Sequence, residues 1–261
     1  MNIGIMGLGF VGGTTKKVFE KKHKVFSYDP NKKGYKDKEV LKKVEIIFIC
    51  VPTPPTNNGK ISLKYLHEAL KIIKNLKINP IICIRSTIPP GSINSLEKKY
   101  SFNIGHNPEF LREKHALKDM LNTNRIIISG SQKVKKLIKK VYFPIFPKVK
   151  YVELTNKEAE MVKSAANCFL ASQITFANEI HSMCKAHRIN YNNVKNTILL
   201  DDRIGRNIDV PGPDGKFGFG GRCFPKDLKA LIHSSREKGY RAYLTEEIWR
   251  SNQTRFRKKH G

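Results

Sequence analysis

No stretch of eighteen apolar residues occurs in this 261-residue chain, which excludes an ordinary membrane-spanning helix. No charged-then-apolar leader precedes the first strand-like segment, so no secretory signal is expected. Cysteine is scarce and wrongly spaced for cross-linking. Cys50, Cys83, Cys168, Cys184 and Cys223 make an odd set without a Cys-x-x-Cys pair, which argues against a disulfide framework and a zinc site and for a reducing, cytoplasmic setting. Acid is also short: 22 Asp and Glu face 49 Lys and Arg, a formal net charge of +27. So basic a chain suits a polyanion partner, yet no zinc-finger spacing or RNP-like aromatic motif accompanies the charge. The excess is mostly lysine, in pairs such as Lys16-Lys17, Lys21-Lys22, Lys135-Lys136 and Lys139-Lys140. Pairs of that kind read as solvated helix surface, so nucleic acid is not the expected partner. Internal repeats and low-complexity linkers are absent as well.

What is present is a regular alternation. Short apolar runs at 2–6, 24–28, 45–51, 81–85, 103–105, 125–129 and 150–154 read as strands. Amphipathic stretches at 12–22, 63–76 and 132–142 lie between them. Strand and helix in turn predict an α/β fold, a Rossmann-like doubly wound parallel sheet. At Thr155 the character changes. Thr155 and Glu158 form a capping box, and a helical pattern free of proline and glycine follows to about His187. That is long for a globular helix and suggests a spine or an oligomer contact. Helices near 192–200 and 227–238 complete a mostly helical remainder. The expected division is a dinucleotide-binding domain at 1–154 and a smaller helical domain at 155–261 built on the long central helix.

Gly7-Leu8-Gly9-Phe10-Val11-Gly12 follows the first strand and opens the first helix. Gly7 permits the tight turn, Gly9 lets a pyrophosphate approach the backbone, and Gly12 packs helix on strand. Phe10 and Val11 lie in the first turn, whose N–H groups face the phosphates. Asp29 ends the second strand, where a ribose-binding acid belongs, and it favours NAD over NADP despite Lys32 and Lys33 nearby. Cys50-Val51-Pro52-Thr53-Pro54-Pro55 and Ser86-Thr87-Ile88-Pro89-Pro90-Gly91 leave the carboxyl ends of later strands, where ligands bind in open α/β sheets. In Asn107-Pro108-Glu109-Phe110-Leu111-Arg112-Glu113, Asn107 reads as an N-cap and Pro108 as the first helical residue. Glu109 and Glu113 would then share one face.

Cys223 sits in Gly218-Phe219-Gly220-Gly221-Arg222-Cys223-Phe224-Pro225-Lys226-Asp227. Glycines clear the approach to one sulfur, and a cation and a carboxylate follow within four residues. A covalent sulfur nucleophile needs that surrounding. A glycine-rich turn with a small structural cysteine fits the local sequence equally well.

In their order and spacing these motifs, with Glu158-Ala159-Glu160-Met161-Val162-Lys163-Ser164-Ala165-Ala166-Asn167 and Asp202-Arg203-Ile204-Gly205, resemble the nucleotide-sugar dehydrogenases of the UDP-glucose/GDP-mannose dehydrogenase family. The resemblance covers nearly the whole chain. It implies a four-electron oxidation of the C6 alcohol of a nucleotide sugar, UDP-glucose first, with two NAD reduced. It implies Cys223 as the nucleophile that forms a thiohemiacetal and then a thioester. Lys163 and Asn167 would stabilise oxyanions, Asp227 would act as base or position water, and Glu109 would serve thioester hydrolysis. Pro52, Thr53, Thr87 and Glu113 would lie near the cofactor. Phe110, Leu111, Arg203, Gly220 and Lys226 would contact the substrate, and the long helix would build a homodimer. UDP-N-acetylmannosamine or GDP-mannose as substrate, and a non-catalytic dinucleotide- or polyanion-binding role on the same scaffold, stay open. The family's C-terminal nucleotide-recognition domain would begin about where residue 261 stands. The chain is therefore expected to be a naturally short enzyme whose site a partner chain or oligomer neighbour completes, to take a different or smaller activated sugar, or to be inactive. The 210–216 stretch reads as a turn-rich flap over the substrate.

Overall fold

A computed structural model describes residues 1–56, 59–202, 204 and 208–257. The chain divides into two compact units, Met1–Pro54 with Ile61–Lys163 and Pro55–Lys60 with Ser164–Gly261. The break therefore falls inside the long helix.

The first unit is built on a parallel sheet of five strands, β1 (Asn2–Met6), β2 (Lys24–Tyr28), β3 (Ile46–Ile49), β4 (Ile81–Ile84) and β5 (Ile104–His106), in the order β2-β1-β3-β4-β5. Strands β6 (Arg125–Ser129) and β7 (Lys150–Leu154) pair in parallel beside them. Helices α1 (Phe10–Phe19), α2 (Lys64–Asn75), α3 (Ser92–Tyr100), α4 (Ala116–Leu121) and α5 (Gln132–Tyr142) fill the crossovers. Alternation within the strands feeds two cores. Ile3, Ile5, Ile46, Phe48, Ile81 and Cys83 pack with Val18 and Phe19 of α1 and Val134, Ile138 and Tyr142 of α5. Ile47, Ile49, Ile82, Ile84 and Ile104 pack with Leu66, Leu70 and Ile73 of α2 and Ile93 and Leu96 of α3. Continuously apolar strands are what a sheet buried on both faces requires. At the centre of the first core Phe19 meets Phe48 and Tyr142 edge-on, at 5.0 and 5.1 Å between ring centroids.

Strand positions agree with the sequence pattern. β3 and β4 are shorter than expected because the chain turns out into the two proline-bearing loops. Helix α6 (Asn156–Ala186) runs 31 residues. Its capping box forms as read: the Thr155 N–H and hydroxyl donate to Glu158 at 2.7 Å each.

The second unit contains the rest of α6 with α7 (Tyr191–Ile198), α8 (Phe224–Glu237) and α9 (Tyr243–Ser251). One cluster joins Ala171, Phe219, Leu228, Ile232 and Ile248; another joins Ala177, Cys184, Tyr191, Ile208 and Val210. Helix α8 starts at Phe224, earlier than expected, because Pro225 in the first turn needs no N–H partner. Among the described residues no helix is long and apolar enough to cross a membrane.

Candidate functional site

In the first unit the glycine turn lies between β1 and α1. Gly7 takes a positive φ of 86°, and a β-carbon on Gly12 would fall 1.8 Å from the Gly7 carbonyl oxygen. A β-carbon on Gly9 would meet nothing within 4 Å. The backbone is thus forced at two glycines and open at the third. Helix α1 has no side-chain cap and no acid in its first turn, so the opening N–H groups, at Phe10 and Val11, face an uncovered cradle suited to an anion. Asp29, at the end of β2, accepts from the Leu8 N–H at 2.7 Å and the Asn31 N–H at 2.9 Å. Its carboxylate is therefore fixed beside the glycine turn. These features fit a dinucleotide with its pyrophosphate on the helix N-terminus and a ribose at Asp29.

The two proline-bearing loops are tied together where β3 and β4 end. Thr53 donates its hydroxyl to the Thr87 carbonyl at 2.8 Å, and Ser86 to the Val51 carbonyl at 2.6 Å. Pro52 is exposed beside them.

The 107–113 segment departs from expectation. Residues 107–112 are loop, and a single 3-10 turn forms at Glu113–His115. Asn107 does not cap a helix because its amide is already spent: it accepts from Arg85 and from the Tyr142 hydroxyl, and donates to the Ile127 carbonyl at 2.7 Å. Glu109 and Glu113 therefore do not share a helical face. Glu109 is buried and Glu113 exposed. Glu109 accepts from its own Leu111 N–H at 2.7 Å and pairs with Lys163 of α6 at 3.2 Å, both side chains buried. The Phe110 ring lies 5.3 Å from the Lys163 ammonium and 4.7 Å from the Arg125 guanidinium. A cavity of about 50 Å³ beside Arg85, Glu109 and Phe110 has room for water and not for a sugar.

In the second unit Cys223 is exposed at the N-cap of α8. A helix N-terminus favours thiolate over thiol. Asp227, one turn on, is 1 % exposed. It accepts from the Asn167 amide and from the Lys226 ammonium at 2.6 Å. The side chain of a helix-interior asparagine thus finds a specific partner. Gly218 is required by its φ of 68° and by packing: a β-carbon there would sit 2.3 Å from the Asn252 side-chain oxygen and 3.0 Å from the Phe256 β-carbon, whereas one on Gly220 would meet only the flexible end of the Arg257 side chain.

Residues unassigned from sequence hold this loop. Asn178 of α6 accepts from the Gly218 N–H at 2.9 Å. Asn252 accepts from the Phe219 N–H at 2.8 Å and donates to its carbonyl at 3.0 Å. Both are essentially buried; an asparagine on an apolar helix face was the available signal. The 210–216 stretch is a turn closed by a Gly212 N–H to Lys216 carbonyl bond at 2.9 Å. Arg203 lies outside the described residues.

Two family models match the chain in succession. The UDP-glucose/GDP-mannose dehydrogenase family NAD binding domain matches residues 34–146, and the central domain of the same family matches residues 157–254. A UDP-glucose 6-dehydrogenase of Rickettsia typhi is 36% identical over 223 residues, 82% of this chain and 50% of that protein. The UDP-glucose 6-dehydrogenase TuaD of Bacillus subtilis is 36% identical, over 82% of this chain and 47% of its own length. The chain thus spans about half the length of the curated relatives it matches. A solved UDP-glucose dehydrogenase of Pyrobaculum islandicum superposes with a TM-score of 0.85 at 28% identity, covering 96% of this chain and 67% of that one.

Proposed function

Because the chain belongs to the UDP-glucose/GDP-mannose dehydrogenase family, we propose that it takes part in NAD-dependent oxidation of the C6 alcohol of a nucleotide sugar, UDP-glucose first, to the carboxylate. The observation that carries this reading is Cys223, exposed at the N-cap of α8, with the Asn167–Asp227–Lys226 cluster one turn on. NAD, held by the glycine turn and Asp29, would supply the acceptor for a hydride leaving carbon. The rest falls to the chain's own side chains.

Glycine turn 7–12 and Asp29 hold the dinucleotide, with Pro52, Thr53, Thr87 and Glu113 around it. Loss of hydride and the hydroxyl proton gives the C6 aldehyde. The Cys223 sulfur adds to that carbon, forming a C–S bond and a thiohemiacetal hydroxyl. A second hydride and proton leave, and a thioester remains. Water adds to the carbonyl carbon, the C–S bond breaks, the proton returns to sulfur and the acid departs. The tether prevents escape of the aldehyde. Lys163 and Asn167 offset charge on the C6 oxygen. Asp227 takes the hydroxyl proton or orients water, and Glu109 serves hydrolysis. Phe110, Leu111, Arg203, Gly220 and Lys226 bind the sugar nucleotide.

A homodimer is the second part of the reading. Phe169, Phe176 and Met183 recur every seven residues on α6 and are 65, 63 and 52% exposed. Three large apolar side chains in a row on one helix face call for a partner helix.

The deciding experiment incubates the protein with NAD and UDP-glucose, UDP-N-acetylmannosamine or GDP-mannose, and counts NADH per sugar. Two per sugar are expected. Cys223→Ala should abolish full turnover. Confirmed NAD binding without NADH from any sugar overturns the reading, and salt-sensitive DNA binding in its place would favour a non-catalytic role.

A further inference from the structure

Glu160 lies in the first turns of α6, three residues before Lys163, and is fully buried. Its carboxylate is spent on another element. One oxygen accepts from the Gly91 N–H and the other from the Ile93 N–H at 2.8 Å. Those two groups open α3, the helix that follows the loop bearing Thr87. Helix α3 has no side-chain cap of its own: its N-cap is Gly91, with a φ of 93°. Two orphan donors at a helix start are thus satisfied by a carboxylate from far along the chain. Burying a carboxylate against backbone groups alone is costly, and nothing in the dehydrogenase reading calls for this residue.

We propose that Glu160 is a positioning residue: by capping α3 from the first turns of α6, it locks the Thr87 loop to the turn that presents Lys163 and so sets the Lys163–Glu109 pair. The inference rests on the reading that Lys163, Glu109 and Thr87 serve the reaction, but the lock itself is a structural statement with its own readout. A charged carboxylate offers an acceptor to each N–H. Protonation weakens one of those oxygens as an acceptor, and an amide turns an NH2 toward one of the N–H groups, so the cap loosens on that side. The charged groups facing Glu160 are Lys157 on its own helix, which favours the carboxylate, and Glu97 on α3, which opposes it. Burial outweighs them and pushes the group up to about 7. The lock therefore closes as pH rises through neutrality.

Amide spectra of the ¹⁵N-labelled protein test this directly. The Gly91 and Ile93 N–H resonances should titrate together near pH 7 in the wild type and lose that titration in Glu160→Gln. The ¹³C resonance of the Glu109 carboxyl, assigned through Glu109→Gln, should also move in Glu160→Gln. With NAD and sugar, Glu160→Gln should lower kcat about ten- to a hundredfold, the scale of a displaced catalytic group, with KM for NAD unchanged. Gly91 and Ile93 amide resonances that stay in place in folded Glu160→Gln would overturn the proposal. An unmoved Glu109 resonance, or full kcat in folded Glu160→Gln, would overturn it too. Absence of NADH from the wild type would sink the dehydrogenase reading alone, leaving the two resonance tests to decide the lock.

Discussion

Gly12 has no space for a side chain, since its β-carbon would lie 1.8 Å from the Gly7 carbonyl oxygen. Backbone would have to move, so Gly12→Ala is expected to lower the melting temperature and remove NAD binding, read by calorimetric titration. Gly9→Ala has room in the free protein and should keep its melting temperature while losing NAD affinity, because the methyl group enters the pyrophosphate's approach. His106 makes a different kind of prediction. Burial is the main reason its pKa falls from 6.5 to about 3. Below 6.5 the unfolded chain takes up a proton that the folded chain refuses until about 3. The stability His106 contributes is therefore complete above 6.5 and is lost as pH falls through that window. Glu160, raised from 4.5 to about 7, runs the other way: its contribution is complete below 4.5 and is lost as pH rises to about 7. The two slopes oppose each other between 4.5 and 6.5. Urea midpoints across pH 4–8 should show a flattened acid limb in His106→Asn and a flattened neutral limb in Glu160→Gln. Unchanged slopes in both variants would contradict these assignments.

At the scale of elements, α6 carries the most information. Its cap, length and freedom from glycine and proline were legible locally, because a helix is specified by neighbours three and four residues apart. Cys223 was legible as the residue in a cleared loop, and α8 adds the helix N-terminus beneath it. What stayed hidden was the partner of each side chain projecting from α6. Glu160 caps α3, Lys163 meets Glu109, and Asn178 joins Asn252, on the π-helical turn that continues α9, in holding the glycine loop. Asn252→Ala strands the Phe219 N–H and carbonyl in a buried place, at about 1–3 kcal/mol for each group left unmade. Chemical denaturation should register that loss. Phe176→Asp should leave folding intact and convert a dimer to a monomer in sedimentation; an unchanged sedimentation coefficient would remove α6 as the contact. The 107–113 segment is the instructive failure. Its capping pattern was sound, but Asn107 spends its amide on Arg85 after β4, Tyr142 of α5 and Ile127 of β6.

For the whole molecule, a small part of the basic excess behind the net charge of +27 sits at helix ends. Lys16 and Lys17, Lys98 and Lys99, and Lys139 and Lys140 occupy the last turns of α1, α3 and α5, where cations complement the helix dipole. Like charge at that density still repels. Raising salt from about 0.01 to 1 M shrinks the screening length from about 30 to 3 Å, so the melting temperature should rise with salt; a flat response would show that local pairing already cancels the repulsion. By itself the sequence determined where the strands and the long capped helix lie, and the glycine turn with Asp29 beside it. Each rests on periodicity or on backbone needs expressed within a few neighbouring residues. Only the tertiary structure decided that Glu109 is a loop residue paired with Lys163, that Glu160 caps α3 and that two asparagines hold the cysteine loop. Those outcomes depend on which distant donors and acceptors the folded chain brings within hydrogen-bond reach, and no local pattern encodes that.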